Sequence, residues 1–298
     1  MNLPERDIFD LALLRRRRDR AARGGTAADF LLERVADDLM DRLAAIKRTF
    51  AVAVNLGAHD GRLSRRLRCR AGTELVFDVD DAAAMLARGD GPLVRAGLEA
   101  VPFADGRLDL VVSGLALQFA NDLPGVLAQI SRTLRPDGLF IGSLLGGATL
   151  TELRQSLLAA ESELDGGASP RVAPFADVRD LGGLLQRAQF ALPVVDRDVV
   201  EATYPDALAL MRDLRAMGAT NVLVQRQRRF LRRATLARAC AIYQDRFTNS
   251  DGRIRATFEI ITLTGWAPHA SQQQPLAPGS ATTRLADALA RPRSPTDG

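Results

Sequence analysis

The chain is poor in several residue types that would narrow its chemistry at once. It has one lysine, Lys47, two cysteines, two histidines and one tryptophan, and aromatic residues make up 5% of its 298 positions. Cys69 and Cys240 stand far apart and fit no Cys-x-x-Cys spacing, so neither a disulfide framework nor a zinc site is indicated. With only His59 and His269, a multi-histidine metal centre is excluded and no metal site is expected. The start is charged and lacks the apolar segment of a secretory leader. No apolar run approaches the roughly 20 residues that span a bilayer. A reducing, cytoplasmic location without a transmembrane segment is therefore expected, and peripheral membrane association is compatible with it.

What is present is an ordinary soluble composition, 47% hydrophobic and 26% charged, with a core that must be built from Leu, Val, Ala and Ile. The net charge is +4 and the isoelectric point near 9.8, with almost every cation an arginine. Arginine favours recognition of carboxylates and phosphates, but the bias also follows from coding preference. Acids are interspersed throughout, so nucleic-acid binding is not expected. The run Arg15-Arg16-Arg17-Arg18 lies in a helix-compatible segment and reads as a solvated face.

Apolar spacing predicts two N-terminal helices, Ile8–Ala22 and Phe30–Ile46, separated by Gly24-Gly25. The period then changes. Thr49–Leu56 reads as a buried strand, followed by a helix at Arg62–Arg70, a strand at Glu74–Val79 and a helix at Asp81–Arg88. Pro92–Arg95, Leu108–Ser113 and Leu139–Leu145 are further strands, with a helix over Leu123–Leu134 that ends at the turn Arg135-Pro136-Asp137-Gly138. Strands alternating with helices predict right-handed crossovers and a mainly parallel sheet covered on both faces. Beyond Gly146-Gly147, helices are expected at Thr149–Leu164, Val178–Gln189, Tyr204–Met217 and Gln225–Phe247, and strands at Leu192–Val200 and Ala256–Thr264. The organisation expected is an N-terminal helical extension (1–48), an α/β domain (49–268) with a helical insertion at about 203–250, and a tail (269–298) whose last residues, Arg291–Gly298, lack order.

The chemistry centres on Gly57-Ala58-His59-Asp60-Gly61, between the first strand and its helix. A glycine-rich turn there lets backbone N–H groups approach an anionic or polar ligand. An acid about 20 residues on, at the end of the second strand, is placed to bond a ribose. Asp78 stands there; its alternative role is to cap the following helix. Loop, acid and strand order together point to a nucleotide site.

Along most of its length the sequence also resembles a known family. The residues behind this begin with Ile8-Phe9-Asp10, the arginine run and Arg20-Ala21-Ala22. They continue with Val101-Pro102-Phe103, Leu108–Ser113, Asn121-Asp122-Leu123-Pro124, Leu134–Gly138, Gly146-Gly147, Thr149–Arg154, Pro174-Phe175 and the closing Gly265–His269, Ser271-Gln272 and Pro278–Ala281. The chain resembles class I S-adenosylmethionine (SAM)-dependent methyltransferases of the methyltransferase-11 type. Within them it is similar to the respiratory complex I assembly factor 5 group, whose mitochondrial member is an arginine hydroxylase, and more distantly to the biotin-pathway malonyl-carrier-protein methyltransferase. The resemblance implies a Rossmann-like α/β sheet, mainly parallel with its last strand antiparallel, SAM as cofactor and a respiratory complex I subunit as partner. The function it implies is that of a SAM-dependent methyltransferase-like protein acting on or assembling that subunit; the alternatives are a non-catalytic assembly factor with a degenerate SAM site, or a protein arginine hydroxylase on a methyltransferase fold. It puts Asn55, Gly57, Ala58, His59, Gly61, Asp78, Val79, Leu98, Glu99 and Ser113 at the cofactor. It assigns no catalytic residue.

Three positions depart from the family's pattern. Asn55 stands where an aspartate usually balances the methionine ammonium, His59 replaces the middle glycine, and Gly97 replaces the aspartate that meets adenine, with Glu99 nearby. Gln118-Phe119 stands where a His-Trp or similar pair is usual. The first three changes each remove a hydrogen bond or a clearance. His59 is either a contact or base near neutral pH, or a residue filling space where no ligand sits. Trp266 is expected to pack the tail onto the sheet edge. Gly146-Gly147 is either a strand-exit turn or a rim over the substrate cleft. Arg226, Arg228, Arg229, Arg232 and Arg233, expected on the late helix, read as a solvated face, with a basic rim for an acidic protein partner as the alternative.

Overall fold

A computed structural model of the chain describes residues 7–24 and 29–272. Contacts divide the chain into two units, Met1–Pro268 and His269–Gly298. Of the second, His269–Gln272 is described, a turn in which Gln272 N–H donates to the His269 carbonyl. The end of the tail, where Arg291–Gly298 was expected to lack order, lies outside the described residues.

The first unit opens with α1 (Leu11–Arg23) and α2 (Phe30–Ala44). Asp10 caps α1 by accepting from Leu13 N–H at 2.9 Å, satisfying one of the donors every helix start leaves free. Then come β1 (Val52–Leu56), α3 (Arg62–Arg68), β2 (Leu75–Asp80), α4 (Ala83–Leu86) and β3 (Leu93–Arg95). They are followed by β4 (Leu108–Gly114), α5 (Leu123–Thr133), β5 (Leu134–Leu145), α6 (Thr151–Leu164) and α7 (Val178–Arg187). The last elements are β6 (Ala191–Tyr204), α8 (Ala207–Ala216), α9 (Arg233–Phe247) and β7 (Ile254–Trp266).

The strands form one seven-stranded sheet in the order β3-β2-β1-β4-β5-β7-β6. All neighbouring pairs are parallel except those made by β7, the last strand, which runs antiparallel to both β5 and β6. This is the sheet the resemblance implied. Consecutive residues of the central strands are buried on opposite faces. Ala53, Leu110, Val112 and Ile141 pack with α2, α6, α8 and α9, while Val54, Leu56, Val111 and Phe140 pack with α5 and α7. Burial on both faces explains why these strands read as continuous apolar runs in the sequence.

Three expectations need correction. The late helix starts at Arg233, so Arg226, Arg228, Arg229 and Arg232 lie on the preceding loop. Like charges at i, i+3 and i, i+4 disfavour a helix there. Tertiary contacts also hold the chain there as a turn and loop: Leu223 bridges Phe9, Arg226 pairs with Asp10 at 3.2 Å, and Gln227 accepts from Arg171 at 2.6 Å. The helix expected over Asp81–Arg88 is the short α4, and β2 runs to Asp80, one residue past the expected end at Val79. Trp266 packs against Phe50, with ring centroids 6.4 Å apart, and sits in register with Leu139 and Ala191, inside the sheet rather than at its edge. At Gly146 an added Cβ would lie 2.7 Å from Glu259 Oε2, a close approach that fits a strand-exit turn.

Candidate cofactor cleft and substrate chamber

Strand order reverses between β1 and β4, which opens a crevice at the carboxyl ends of the central strands. The Gly57–Gly61 loop lies there. Gly57 and Gly61 have φ of 75° and 76°, and a Cβ on Gly57 would stand 2.2 Å from Ala116 Cβ, so both positions require glycine. The loop turns its donors onto its own neighbours. Gly57 and Ala58 N–H both donate to the Val79 carbonyl, at 2.8 and 3.0 Å, and Gly61 N–H donates to the Ala58 carbonyl at 3.0 Å. His59 N–H donates to Asp80 Oδ2 at 3.1 Å.

Asp78, the acid singled out from spacing, lies two residues inside β2 and is fully buried. Ser64 Oγ donates to its Oδ1, and Arg68 Nη2 reaches its Oδ2 at 3.1 Å. Asn55 completes the group, donating from Nδ2 to Ser64 Oγ at 2.9 Å, with Asp78 Oδ1 at 3.5 Å. A second carboxylate at position 55 would face Asp78, whose bonded cation among the described residues is Arg68. Asn55→Asp is therefore expected to lower stability by about 2 kcal/mol at neutral pH. Chemical denaturation of both proteins at pH 7 measures it.

The carboxylate at the mouth of the loop is Asp80, 1% exposed. Its two oxygens take four donors: Arg18 Nη1 at 3.0 Å and Ala82 N–H at 2.9 Å on Oδ1, Arg18 Nη2 at 2.8 Å and His59 N–H at 3.1 Å on Oδ2. Arg18 comes from α1, where Leu14, Arg18 and Ala21 form the buried stripe while Arg16 is exposed. Gly218, at φ 73°, allows the close approach, since a Cβ there would lie 3.2 Å from Arg18 Cα.

His59 lies between these groups with both ring nitrogens committed. Nδ1 is 3.0 Å from Arg18 Nη2 and Nε2 is 2.9 Å from the Gly114 carbonyl. A guanidinium only donates and a carbonyl only accepts, which assigns the neutral tautomer with its proton on Nε2. Burial first, then the Arg18 charge, pushes the imidazole down to about 4, against weaker opposing pulls from Asp80, Gly114 and Asp60. At neutral pH the ring is uncharged and offers no free nitrogen to a substrate. It fills the clearance that a glycine would leave.

The remaining expected residues divide. Ala58 and Leu98 are buried beside the loop, and Leu98 Cδ2 would be 3.2 Å from a Cβ on Gly57. Val79 is buried in the core, and Ser113 Oγ donates to the Leu56 carbonyl at 2.7 Å, beneath the cleft. Glu99 Oε1 accepts from Asn121 and Asp122 N–H at 2.5 and 3.0 Å and so holds the start of α5, while Gly97 has open space where a side chain would stand. Arg18 and Asp80 were not picked out from the sequence; the helical spacing Leu14–Arg18–Ala21 is the signal that carries Arg18.

Two small cavities flank Arg18. One of about 30 Å³ lies by Asp81, Gly97 and Leu98, and one of about 70 Å³ by His59, Gln118 and Phe119. Both fall well short of the roughly 300–1,000 Å³ typical of small-molecule sites. The SAM that the resemblance implies does not fit this arrangement, because its space is divided and the facing carboxylate is saturated. Next to the larger of the two, and sharing Leu31, Phe119, Leu145 and Met217 with it, is a chamber of about 350 Å³. Its walls are mainly apolar, with Arg171, Arg215 and Asn221 also lining it. Gln118, which lines the cavity of about 70 Å³, donates from Nε2 to the Leu115 carbonyl at 2.7 Å, while its buried Oε1 has no donor among the described residues.

Comparison with known proteins agrees with the sheet. Residues 54–142 match the methyltransferase domain model. The fold is shared with the YcgJ protein of Bacillus subtilis, at TM-score 0.54 and 13% identity, covering 79% of this chain and 99% of that one. By sequence the chain is 40% identical over 288 residues to the mitochondrial arginine-hydroxylase NDUFAF5 of Danio rerio, covering 94% of this chain and 89% of that protein. It is likewise 40% identical over 287 residues to the Homo sapiens protein of the same name, covering 94% and 83%. A malonyl-[acyl-carrier protein] O-methyltransferase of Xylella fastidiosa is 34% identical over 270 residues, covering 88% of this chain and 89% of that one. With this identity sustained over nearly the whole of both chains, the protein belongs to the NDUFAF5 arginine-hydroxylase family.

Proposed function

We propose that this methyltransferase-like protein hydroxylates an arginine side chain of a partner protein, and that the partner is a subunit of respiratory complex I. The observation that carries the reading is the apolar chamber leading to Gln118, where a buried carbonyl oxygen has no donor among the described residues. An arginyl side chain matches that gradient, with three methylenes suited to Leu and Phe walls and a guanidinium that only donates. The family relationship supports the same choice, since the relatives named above as arginine-hydroxylases are 40% identical to this chain.

The reaction replaces one C–H bond by C–OH. Dioxygen supplies the oxygen atom, and an external two-electron reductant with two protons takes the second oxygen to water. What the chain's own residues contribute is binding: the chamber holds the aliphatic segment away from water, and Gln118 Oε1 orients the guanidinium. The test is mass spectrometry of complex I subunits from cells with and without the protein. A +16 Da arginine should be present with the native chain, absent on deletion and reduced by Gln118→Leu. Equal modification with and without the protein would reject the reading.

A second reading, a non-catalytic assembly factor, is favoured by one observation: the loop donors and Asp80 are satisfied within the chain. It expects the partner subunit to co-purify without any arginine modification. The cleft at Gly57–Gly61 is where the resemblance puts SAM, and the hydroxylation reading gives it no step. No helix among the described residues is long and apolar enough to cross a membrane, and Cys69 and Cys240 are both free thiols. These observations suit work in a reducing aqueous compartment, with peripheral membrane association compatible.

A further inference from the structure

We infer that Arg18 is the internal occupant of the cleft's carboxylate and that α1 is its lid, so that a nucleoside ligand reaches Asp80 only when Arg18 withdraws. The inference concerns the cleft alone and is independent of the hydroxylation reading.

Saturation comes first. A carboxylate offers roughly four lone-pair sites, and Asp80 already receives four donors, two of them from Arg18. A ribose diol, which this strand-end position suits, finds no acceptor there until the guanidinium leaves. The Arg18–Asp80 pair is also dry, with side chains 9% and 0% exposed. It is therefore a built part of the interior rather than a chance surface contact.

Space gives the second argument. The cavities of about 30 and 70 Å³ share two lining residues, Leu14 and Arg18, both from α1. These side chains form the partition between an adenine-side recess at Gly97 and Leu98 and a recess at His59 and Gln118. Withdrawing them joins the recesses into one crevice across the ends of β1, β2 and β4.

The attachments of α1 suit a lid. At its start, Asn121 Oδ1 accepts from Ile8 and Phe9 N–H at 2.9 and 2.8 Å, and Asp10 N–H donates to the Val222 carbonyl at 2.8 Å. Along the rest of the helix the attachments other than the Arg18 pair are polar or small: Arg15 pairs with Asp81 at 3.4 Å, Arg17 Nη1 donates to the Asn221 carbonyl, Asp19 accepts from Ala84 N–H at 2.8 Å, and Ala21 packs on Ala82 and Met85. Polar contacts of this kind exchange with water, so the helix can swing about its start without unfolding the sheet beneath.

Calorimetric titration of S-adenosylhomocysteine into the isolated full chain tests this. Arg18→Ala and Arg18→Gln are each compared with the native protein, and Arg18→Gln keeps the side-chain length should the alanine variant fold poorly. Both should bind at least about tenfold more tightly than the native chain. Adding Asp80→Asn to either should abolish that gain. Native binding as tight as that of the variants would overturn the proposal, as would variants that fold but gain nothing, or a gain that survives loss of the Asp80 carboxylate.

Discussion

Replacing Asp80 by alanine is expected to lower the unfolding free energy by about 3–5 kcal/mol, the cost of leaving a buried ion without its partner. The Arg18 side chain is only 9% exposed, and among the described residues the His59 ring would be the only side chain left bonded to it. Two backbone donors, His59 N–H and Ala82 N–H, would lose their acceptor as well. Denaturation should show a lower midpoint with an unchanged slope, since the surface exposed on unfolding stays the same. The double variant Arg18→Ala, Asp80→Ala should be less destabilised than the sum of the single changes, because it removes the stranded charge. Strict additivity would mean that the two groups do not form one unit.

Acidification should destabilise the protein through His59, in a window distinct from that of its carboxylates. The folded imidazole is pushed down to about 4, whereas an unfolded histidine titrates near 6.5. Between those values the unfolded chain holds the extra proton, so stability falls as pH drops through the window. One pKa unit corresponds to about 1.4 kcal/mol, which puts the full loss at about 3 kcal/mol. Asp60, held below the usual carboxylate range by Arg62 despite its burial, adds its own loss at lower pH. Unfolding free energies measured from pH 7 to 4 should fall in the native protein, and the His59→Gln variant should lose most of that slope. An unchanged slope in the variant would place the acid sensitivity elsewhere.

The fold was largely legible in the sequence because the central strands are buried on both faces and must be apolar throughout. Ala53-Val54 and Val111-Val112 are examples, each adjacent pair lying in two different cores. The site was legible only in part. Asp78 and Asp80 lie two residues apart on one strand, so spacing from the loop does not separate them. Their difference is made by Arg68 and Ser64 from α3, which take Asp78, and by Arg18 from α1, which takes Asp80. Side chains arriving from other elements leave no local mark. Arg18 is a middle case: it sits in a run that reads as solvated, yet the spacing from Leu14 to Ala21 puts it on the buried stripe. The loop before α9 reads as helix in the sequence for a related reason, since its periodic stretch yields to contacts with Asp10, Arg171 and Phe9.

The antiparallel end of the sheet has a consequence for how the protein behaves in a crowded solution. β6 is an outer strand of 14 residues carrying exposed Leu192, Val194 and Val199, the kind of edge on which a second chain could template itself. Asp196, Arg197 and Asp198 interrupt the apolar residues at its middle, and Asp196 and Asp198 are drawn to Arg42 and Arg34 of α2, at 2.6 and 2.7 Å. The charges that tie the strand to its own helix are thus the ones that discourage strand-to-strand aggregation. Because these pairs are surface-exposed, their protection weakens as salt rises.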